Sequence, residues 1–303
     1  MPSTRSDIPE IYHRKCQVKK NLSFILGLLT FCSGASAASI TIDGNLADWG
    51  IDKNTWKPTD PTINYTIKDQ VGSGSFYLNP GWGGQAYDAE AIYAKVSQAD
   101  QKLYIALATG HNPRTVNQPG ANSFGAGDFA IDFGKDGSFD VGINIKHALS
   151  VQKGVYTFES FGVEGGVYSN PSWDYGLWTS GGAYTAPNSN GYNPDRLHPT
   201  HLLAGTFRGL ADLAYTTVAA TGYGAKPGDA HYFYEMSVDL SLLTRSGWNG
   251  QAFDIHWTEN CANDSIWVDP PGGNVPEPGS LVLTVLALAA LSVQRKRAAS
   301  SLI

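Results

Sequence analysis

The chain has 303 residues, of which 42% are hydrophobic and 12% aromatic, and its formal net charge is −6. This composition is that of a folded globular protein and excludes an intrinsically disordered chain. Residues 38–275 contain 13 basic and 24 acidic residues, a net charge of −11, which argues against nucleic-acid binding and suits a soluble outer surface.

Residues 1–37 have the three parts of a secretory signal peptide in the usual order. A long N-terminal region ends in a basic segment, residues 14–20, and is followed by the largely apolar residues 22–31. The predicted cleavage motif is Ala35-Ser36-Ala37, with Ala38 as the first residue of the exported chain. We expect export through the Sec translocon and removal of the leader by signal peptidase. A buried core helix is the alternative.

Residues 38–274 alternate short apolar or aromatic runs with turns rich in Gly, Pro and Asp. An Asp-Gly turn at 135–138 between two alternating runs predicts a hairpin. The runs 91–97 and 103–109 are predicted to form another hairpin around 99–101. The predicted strands are 40–42, 91–97, 103–109, 128–133, 139–145, 155–160, 214–219, 231–238, 253–259 and 265–268, with one short helical turn at 239–244. Many short strands predict a single antiparallel β-sandwich of jelly-roll or immunoglobulin-like type.

Several of these segments resemble the family-9-type carbohydrate-binding and DOMON-like β-sandwiches. The similar segments, in the same order as in those domains, are Ile42-Asp-Gly-Asn-Leu-Ala-Asp-Trp49, Leu103–Ala106, Gly127–Asp132, Tyr234–Leu243 and Ala252–His256. Each match is short, but together they span most of residues 38–274. The resemblance implies a two-sheet fold and a carbohydrate ligand.

The C-terminal residues 275–303 contain a short motif, an apolar stretch and a basic cluster. The motif is Val275, Pro276, Glu277, Pro278, Gly279 and Ser280, followed by the predicted transmembrane helix 281–293 and the basic tail 294–297. This arrangement closely resembles the PEP-CTERM sorting domain of Gram-negative bacteria, which implies cleavage near the motif by an exosortase. We expect a transient inner-membrane anchor and then delivery to the outer surface or the extracellular space; a permanent tail anchor is the alternative.

An aromatic-rich segment, residues 168–192, is predicted to be a long loop that could stack against sugar rings. The predicted glycan-binding residues are Trp173, Tyr175, Trp178 and Tyr184. The alternative is that these rings pack the loop onto the sandwich. His198 and His201 are interpreted as loop residues rather than as a zinc site.

An acidic cluster surrounds the Gly137 turn, and hard cations prefer such clustered oxygen ligands. Its members Asp132, Asp136 and Asp140 are the predicted calcium ligands, with solvent-facing hairpin residues as the alternative. No other cofactor is expected.

Three functions stay open at this point. The first is a non-enzymatic surface or matrix protein associated with exopolysaccharide in a biofilm, the second a carbohydrate-binding module, and the third a secreted hydrolase. Catalytic sequence motifs such as H-E-x-x-H, G-x-S-x-G and the Walker A loop do not occur, which favours a protein without catalytic activity. Cys261 and His256 are interpreted as packing residues.

Overall fold

The computed structural model describes residues 39–69, 84–175, 198–262 and 264–272. These ranges contain thirteen strands and one α-helix, besides three short 3-10 helices. The strands are β1 (Asn64–Ile67), β2 (Ala89–Ser97), β3 (Lys102–Thr109), β4 (Phe129–Phe133), β5 (Val141–Ile143), β6 (Ala148–Gln152), β7 (Val155–Phe158), β8 (Gly166–Asp174), β9 (His201–Leu210), β10 (Asp212–Tyr215), β11 (Tyr232–Asp239), β12 (Phe253–Thr258) and β13 (Ser265–Val268). The helix α1 spans Leu240–Arg245, and the 3-10 helices span Leu46–Trp49, Gly84–Tyr87 and Pro119–Ala121.

The strands form two large sheets and one hairpin. A five-stranded sheet has the order β1-β2-β3-β11-β10, and a six-stranded sheet has the order β13-β12-β4-β5-β8-β9. Strands β6 and β7 pair with each other as a separate two-stranded sheet. Every pair of neighbouring strands is antiparallel. The predicted all-β, antiparallel fold is therefore confirmed.

One hydrophobic core contains side chains from both large sheets. Ile105 and Met236 of the five-stranded sheet belong to the same buried cluster as Ile131 and Ile255 of the six-stranded sheet. Alternate residues of each strand point to opposite faces, so the other residues of these strands face away from this core. Burial of this apolar surface is the main driving force that holds the two sheets together.

The opposite face of the five-stranded sheet is also covered. Trp49 and Trp56, from the segment before β1, pack with Tyr93 of β2 and Phe233 of β11 in a second buried cluster. The strand predicted at 40–42 is not formed; this segment instead contributes Ile40 to the second cluster. This face of the five-stranded sheet is therefore buried.

A glycine before β4 allows the chain to pass very close to its neighbour. A side chain at Gly127 would place its Cβ 1.7 Å from the carbonyl oxygen of Thr258, closer than any atom can approach. Gly127 is therefore required for close packing between the start of β4 and the end of β12.

The two processing segments predicted from the sequence lie outside the described residues. This holds for the cleavage site at Ala35, Ala37 and Ala38, for the motif 275–280 and for the apolar stretch 281–293. Within the part of the chain that the structure describes, no helix has the length and apolar character needed to cross a bilayer.

Candidate functional site on the outer face of the six-stranded sheet

Strand β12 shows how the outward face of the six-stranded sheet is built. Phe253, Ile255 and Trp257 point into the shared core, so Asp254 and His256, which alternate with them, lie on the opposite side. We call this side of the sheet the outer face. Aromatic side chains lie toward the C-terminal end of strand β4, and polar side chains lie near its N-terminal end.

At one end, four rings form a continuous row from β13 to β8. The Trp267 ring lies 5.9 Å from the His256 ring at an angle of 19°, and the Phe139 ring contacts the other side of His256 at 5.0 Å. Trp173 of β8 contacts Phe139 at 6.2 Å and 73°. Phe139, Trp173 and Trp267 are half-buried. We call these four residues the aromatic row.

Charged groups border the aromatic row. The Lys135 ammonium lies 3.0 Å from the Asp254 carboxylate and 3.6 Å from Asp269. Burial acts to raise the pKa of Asp254, but its interactions with His256, Asp269 and Lys135 outweigh this effect and hold the pKa well below its usual range. Asp254 is therefore ionised, and it holds His256, whose Nε2 lies 3.7 Å away, in the row.

At the other end of β4, buried polar side chains form a second group, the polar patch. Its members are His147, Glu159, His201 and Asn260. The His147 and His201 rings meet at 5.0 Å and 71°, and His147 Nδ1 lies 3.5 Å from a Glu159 oxygen. Among the described residues, five buried atoms of the patch lack a hydrogen bond of good geometry, namely Glu159 Oε1, His147 Nδ1, His201 Nδ1 and both polar atoms of the Asn260 amide. Unsatisfied buried polar atoms are rare in folded proteins, and water or a ligand usually satisfies them.

Asp128 connects the polar patch to the strands beneath it. Its carboxylate accepts hydrogen bonds from the backbone N–H groups of Ile145 at 2.6 Å and Leu202 at 2.8 Å. Burial nevertheless raises the pKa of Asp128 to about 7. These bonds fix the start of β9, and with it His201, beside β4.

Burial keeps the polar patch close to electrical neutrality. Burial first, and then the charge of Asp128, raise the pKa of Glu159 to about 8. Burial also lowers the pKa of His147 to about 4, with His201 and Lys146 adding to this effect, and it lowers the pKa of His201. At neutral pH the patch therefore offers uncharged hydrogen-bonding groups, which suit hydroxyl groups better than ions.

The predicted glycan-binding residues fall into two sets. Trp173 belongs to strand β8 rather than to a loop, because the strand continues to Asp174, and Tyr175 follows directly. Trp178 and Tyr184 lie outside the described residues. The prediction of a loop over residues 168–192 is thus wrong for its first part, where the backbone pairs with β9.

The three predicted calcium ligands lie around the β4–β5 turn, where backbone N–H groups donate hydrogen bonds to the carboxylates of Asp132 and Asp140. Asp132 accepts hydrogen bonds from Asp136 N at 3.1 Å and Gly137 N at 2.8 Å, and Asp140 accepts one from Phe133 N at 2.7 Å. In the described parts of the chain, no group of three His, Cys, Asp or Glu side chains is arranged to hold a metal ion. Calcium binding at this turn stays a prediction, which calorimetric titration of the protein with calcium would test.

Sequence reasoning missed most of the polar patch. His147 and Glu159 are far apart in sequence from His201, and only the pairing of β8 with β9 and the position of β6 beside Val116 bring them together.

We compared the chain with protein-family models, with curated proteins and with solved structures, and nothing matches in any of the three.

Proposed function

We propose that the protein is an exported, non-enzymatic surface or matrix protein that binds exopolysaccharide through the outer face of its six-stranded sheet. Its leader and its C-terminal tag support processing by signal peptidase and an exosortase. Its two sheets with a shared core support the resemblance to family-9-type carbohydrate-binding sandwiches.

The binding proposal is based on two kinds of groups that lie around the six-stranded sheet, the aromatic row and the polar patch. Sugar rings offer apolar C–H faces to aromatic rings and hydroxyl groups to polar side chains, and sites of this kind join apolar surface with a few placed polar groups. The aromatic row supplies the first and the polar patch the second. A neutral patch also avoids the cost of removing charges from water when a neutral glycan binds.

A binding screen tests this proposal. The purified protein is passed over a panel of immobilised neutral and anionic polysaccharides, and we expect it to be retained by at least one neutral polysaccharide. Trp173→Ala should weaken this binding about fivefold, since one aromatic contact contributes on the order of 1 kcal/mol.

Tyr65→Ala is the matched control. Tyr65 is an aromatic residue of strand β1 in the other sheet, and 42% of its surface is exposed. Its removal should leave retention unchanged. Equal retention of the wild type and Trp173→Ala, or no retention by any polysaccharide of the panel, would contradict the proposal.

The export part of the proposal is tested separately. Mass spectrometry of the protein recovered from the cell surface or the medium should show an N-terminus at Ala38 and a C-terminus near the 275–280 motif. A chain that stays in the inner membrane with residues 281–303 attached would contradict exosortase processing and would support the permanent tail anchor.

A further inference from the structure

A group of buried ionisable residues connects the two large sheets. Its members, which we call the junction cluster, are Lys68, Asp88, Glu90, His231, Glu259 and Asp264. Lys68 follows β1 and Asp88 precedes β2, both in the five-stranded sheet, whereas Glu259 and Asp264 flank the β12–β13 turn of the six-stranded sheet. Asp88, Glu90, Glu259 and Asp264 are all buried, so the charges of this cluster are weakly screened by solvent.

The hydrogen bonds show which carboxyl group of the cluster carries a negative charge. Asp264 accepts hydrogen bonds from the N–H groups of Ala89 and Ser265, both at 2.8 Å, and forms an ion pair with Lys68. Lys68 also donates to the carbonyl oxygen of Ser265 at 2.8 Å. Three donors converge on this carboxylate, which favours its ionised form.

Asp88 has the opposite environment. Asp88 directly precedes Ala89, whose N–H group donates to Asp264, so the two acids are buried side by side. Among the described residues, Asp88 Oδ1 has no hydrogen-bond partner. Two carboxyl groups in contact cannot both be ionised without strong repulsion, so one of them must hold a proton and donate it to the other. Because Asp264 already accepts three hydrogen bonds, the proton belongs to Asp88.

The other ionisable residues of the junction cluster have partners of their own. Glu90 accepts a hydrogen bond from Gln85 at 2.7 Å and lies 3.3 Å from His231 Nε2. The Cys261 thiol lies 3.6 Å from Glu259. Among the described residues, Lys68, Glu90 and Glu259 are thus the ionisable groups that interact with the acid pair, whereas His231 and Cys261 lie farther out, beside Glu90 and Glu259.

We propose that Asp88 and Asp264 share a proton that holds strand β2 and the β12–β13 turn together, and that loss of this proton at alkaline pH separates them. The junction between the sheets is then a pH-sensitive element that opens while the rest of the fold remains. This inference does not depend on glycan binding.

The raised pKa of Asp88 determines how the stability of the protein changes with pH. Burial first, and then the charges of Asp264 and Glu90, raise the pKa of Asp88 from 3.8 to about 10. Between these values the folded protein keeps a proton that the unfolded chain has released, so stability falls as pH rises. Above about pH 7.5 histidines are largely neutral in folded and unfolded chains alike and add little to this slope.

The test is equilibrium unfolding of the full chain between about pH 8 and pH 10, for the wild type and Asp88→Asn. Asparagine keeps the shape and the donor of the protonated acid but cannot ionise. For each pH unit, the unfolding equilibrium constant of the wild type should increase by about a factor of ten relative to that of the variant. Equal slopes would overturn the proposal.

Asp60→Asn serves as the control. Asp60 forms an ion pair with Lys95 at 2.8 Å, and hydrogen bonds from Lys95 and Thr62 lower its pKa to about 2. It is therefore ionised in both states throughout the alkaline range, and its replacement should leave the slope unchanged. A changed slope in this variant would show that the effect is not specific to the acid pair and would contradict the proposal.

Two further measurements keep the proposal testable if Asp88→Asn does not fold. The infrared spectrum of the wild type at about pH 9 should contain the carbonyl band of protonated carboxylic acid, which is lost in part as pH rises through about 10. Hydrogen exchange corrected for its intrinsic pH dependence should show loss of protection at 265–268 over the same range, before that of β3. An absent acid band, or simultaneous loss of protection in both strands, would overturn the proposal.

Discussion

The carboxylate of Glu235 holds the N-terminal segment onto the five-stranded sheet. Its Oε2 accepts hydrogen bonds from the N–H groups of Asp43 at 3.1 Å, Gly44 at 2.6 Å and Asn45 at 2.8 Å. Its Oε1 accepts one from the indole of Trp49 at 2.6 Å. The sequence segments around Trp49 and Glu235 are thus in direct contact.

Glu235→Ala should lower the free energy of unfolding by about 3 kcal/mol, because it leaves four donors without an acceptor. Urea unfolding of the purified protein measures this change. Lys226→Ala is the control, since Lys226 is an exposed loop residue whose replacement should cost less than about 0.5 kcal/mol. Equal stabilities of the two variants would contradict this role of Glu235.

Residue-level reasoning from sequence found the aromatic contribution of Trp173 but not its partners. Phe139 was assigned to a strand and His256 to packing, and neither was connected with Trp173. The contacts of Phe139 with Trp173 and His256 depend on how distant strands pair across the sheet. This strand register cannot be predicted from a single sequence.

At the scale of elements, one arginine connects the β6–β7 hairpin to the rest of the fold. The Arg114 guanidinium lies 5.6 Å from the ring of Tyr156, 5.0 Å from that of Phe158 and 5.0 Å from that of Tyr215 in β10. It also lies 4.0 Å from the Glu164 carboxylate. Cation–π contacts with several rings hold the hairpin against the five-stranded sheet.

Arg114→Ala should therefore reduce hydrogen-exchange protection of the hairpin, residues 148–158, and lower the overall stability by about 1–2 kcal/mol. Arg114→Lys keeps the charge but loses the planar group that stacks on the rings, so it should restore only part of the protection. Full protection of the hairpin in Arg114→Ala would show that these contacts do not hold it.

The strands that were predicted have clear apolar runs, whereas the strands that were missed are interrupted by proline or glycine. The β2–β3 hairpin and β13 have clear apolar runs, and their predicted bounds agree with the structure to within two residues. Strand β8 contains Pro171, and its pairing with β9 has several register shifts. Strand β9 contains Gly205 and Gly209 and lies at a sheet edge, where apolar alternation is weak. Both were therefore overlooked.

At the scale of the whole molecule, the net charge of the protein predicts which class of glycan it would bind. Residues 38–275 carry a net charge of −11, so an anionic polysaccharide would be repelled, whereas a neutral one would not. We expect the affinity for a neutral polysaccharide to change less than about twofold between low and high salt, because no net charge is neutralised on binding. A steep salt dependence, measured by calorimetry, would show that charged groups dominate the contact instead.

The central claim is that the outer face of the six-stranded sheet binds the polysaccharide. It is tested most directly by hydrogen exchange of the full chain with and without the neutral polysaccharide that retains it. We predict slower exchange in β12 and β8, which carry His256 and Trp173, and unchanged exchange in β2 and β3. Protection confined to the five-stranded sheet, or no change in β12 and β8 at saturation, would contradict the claim.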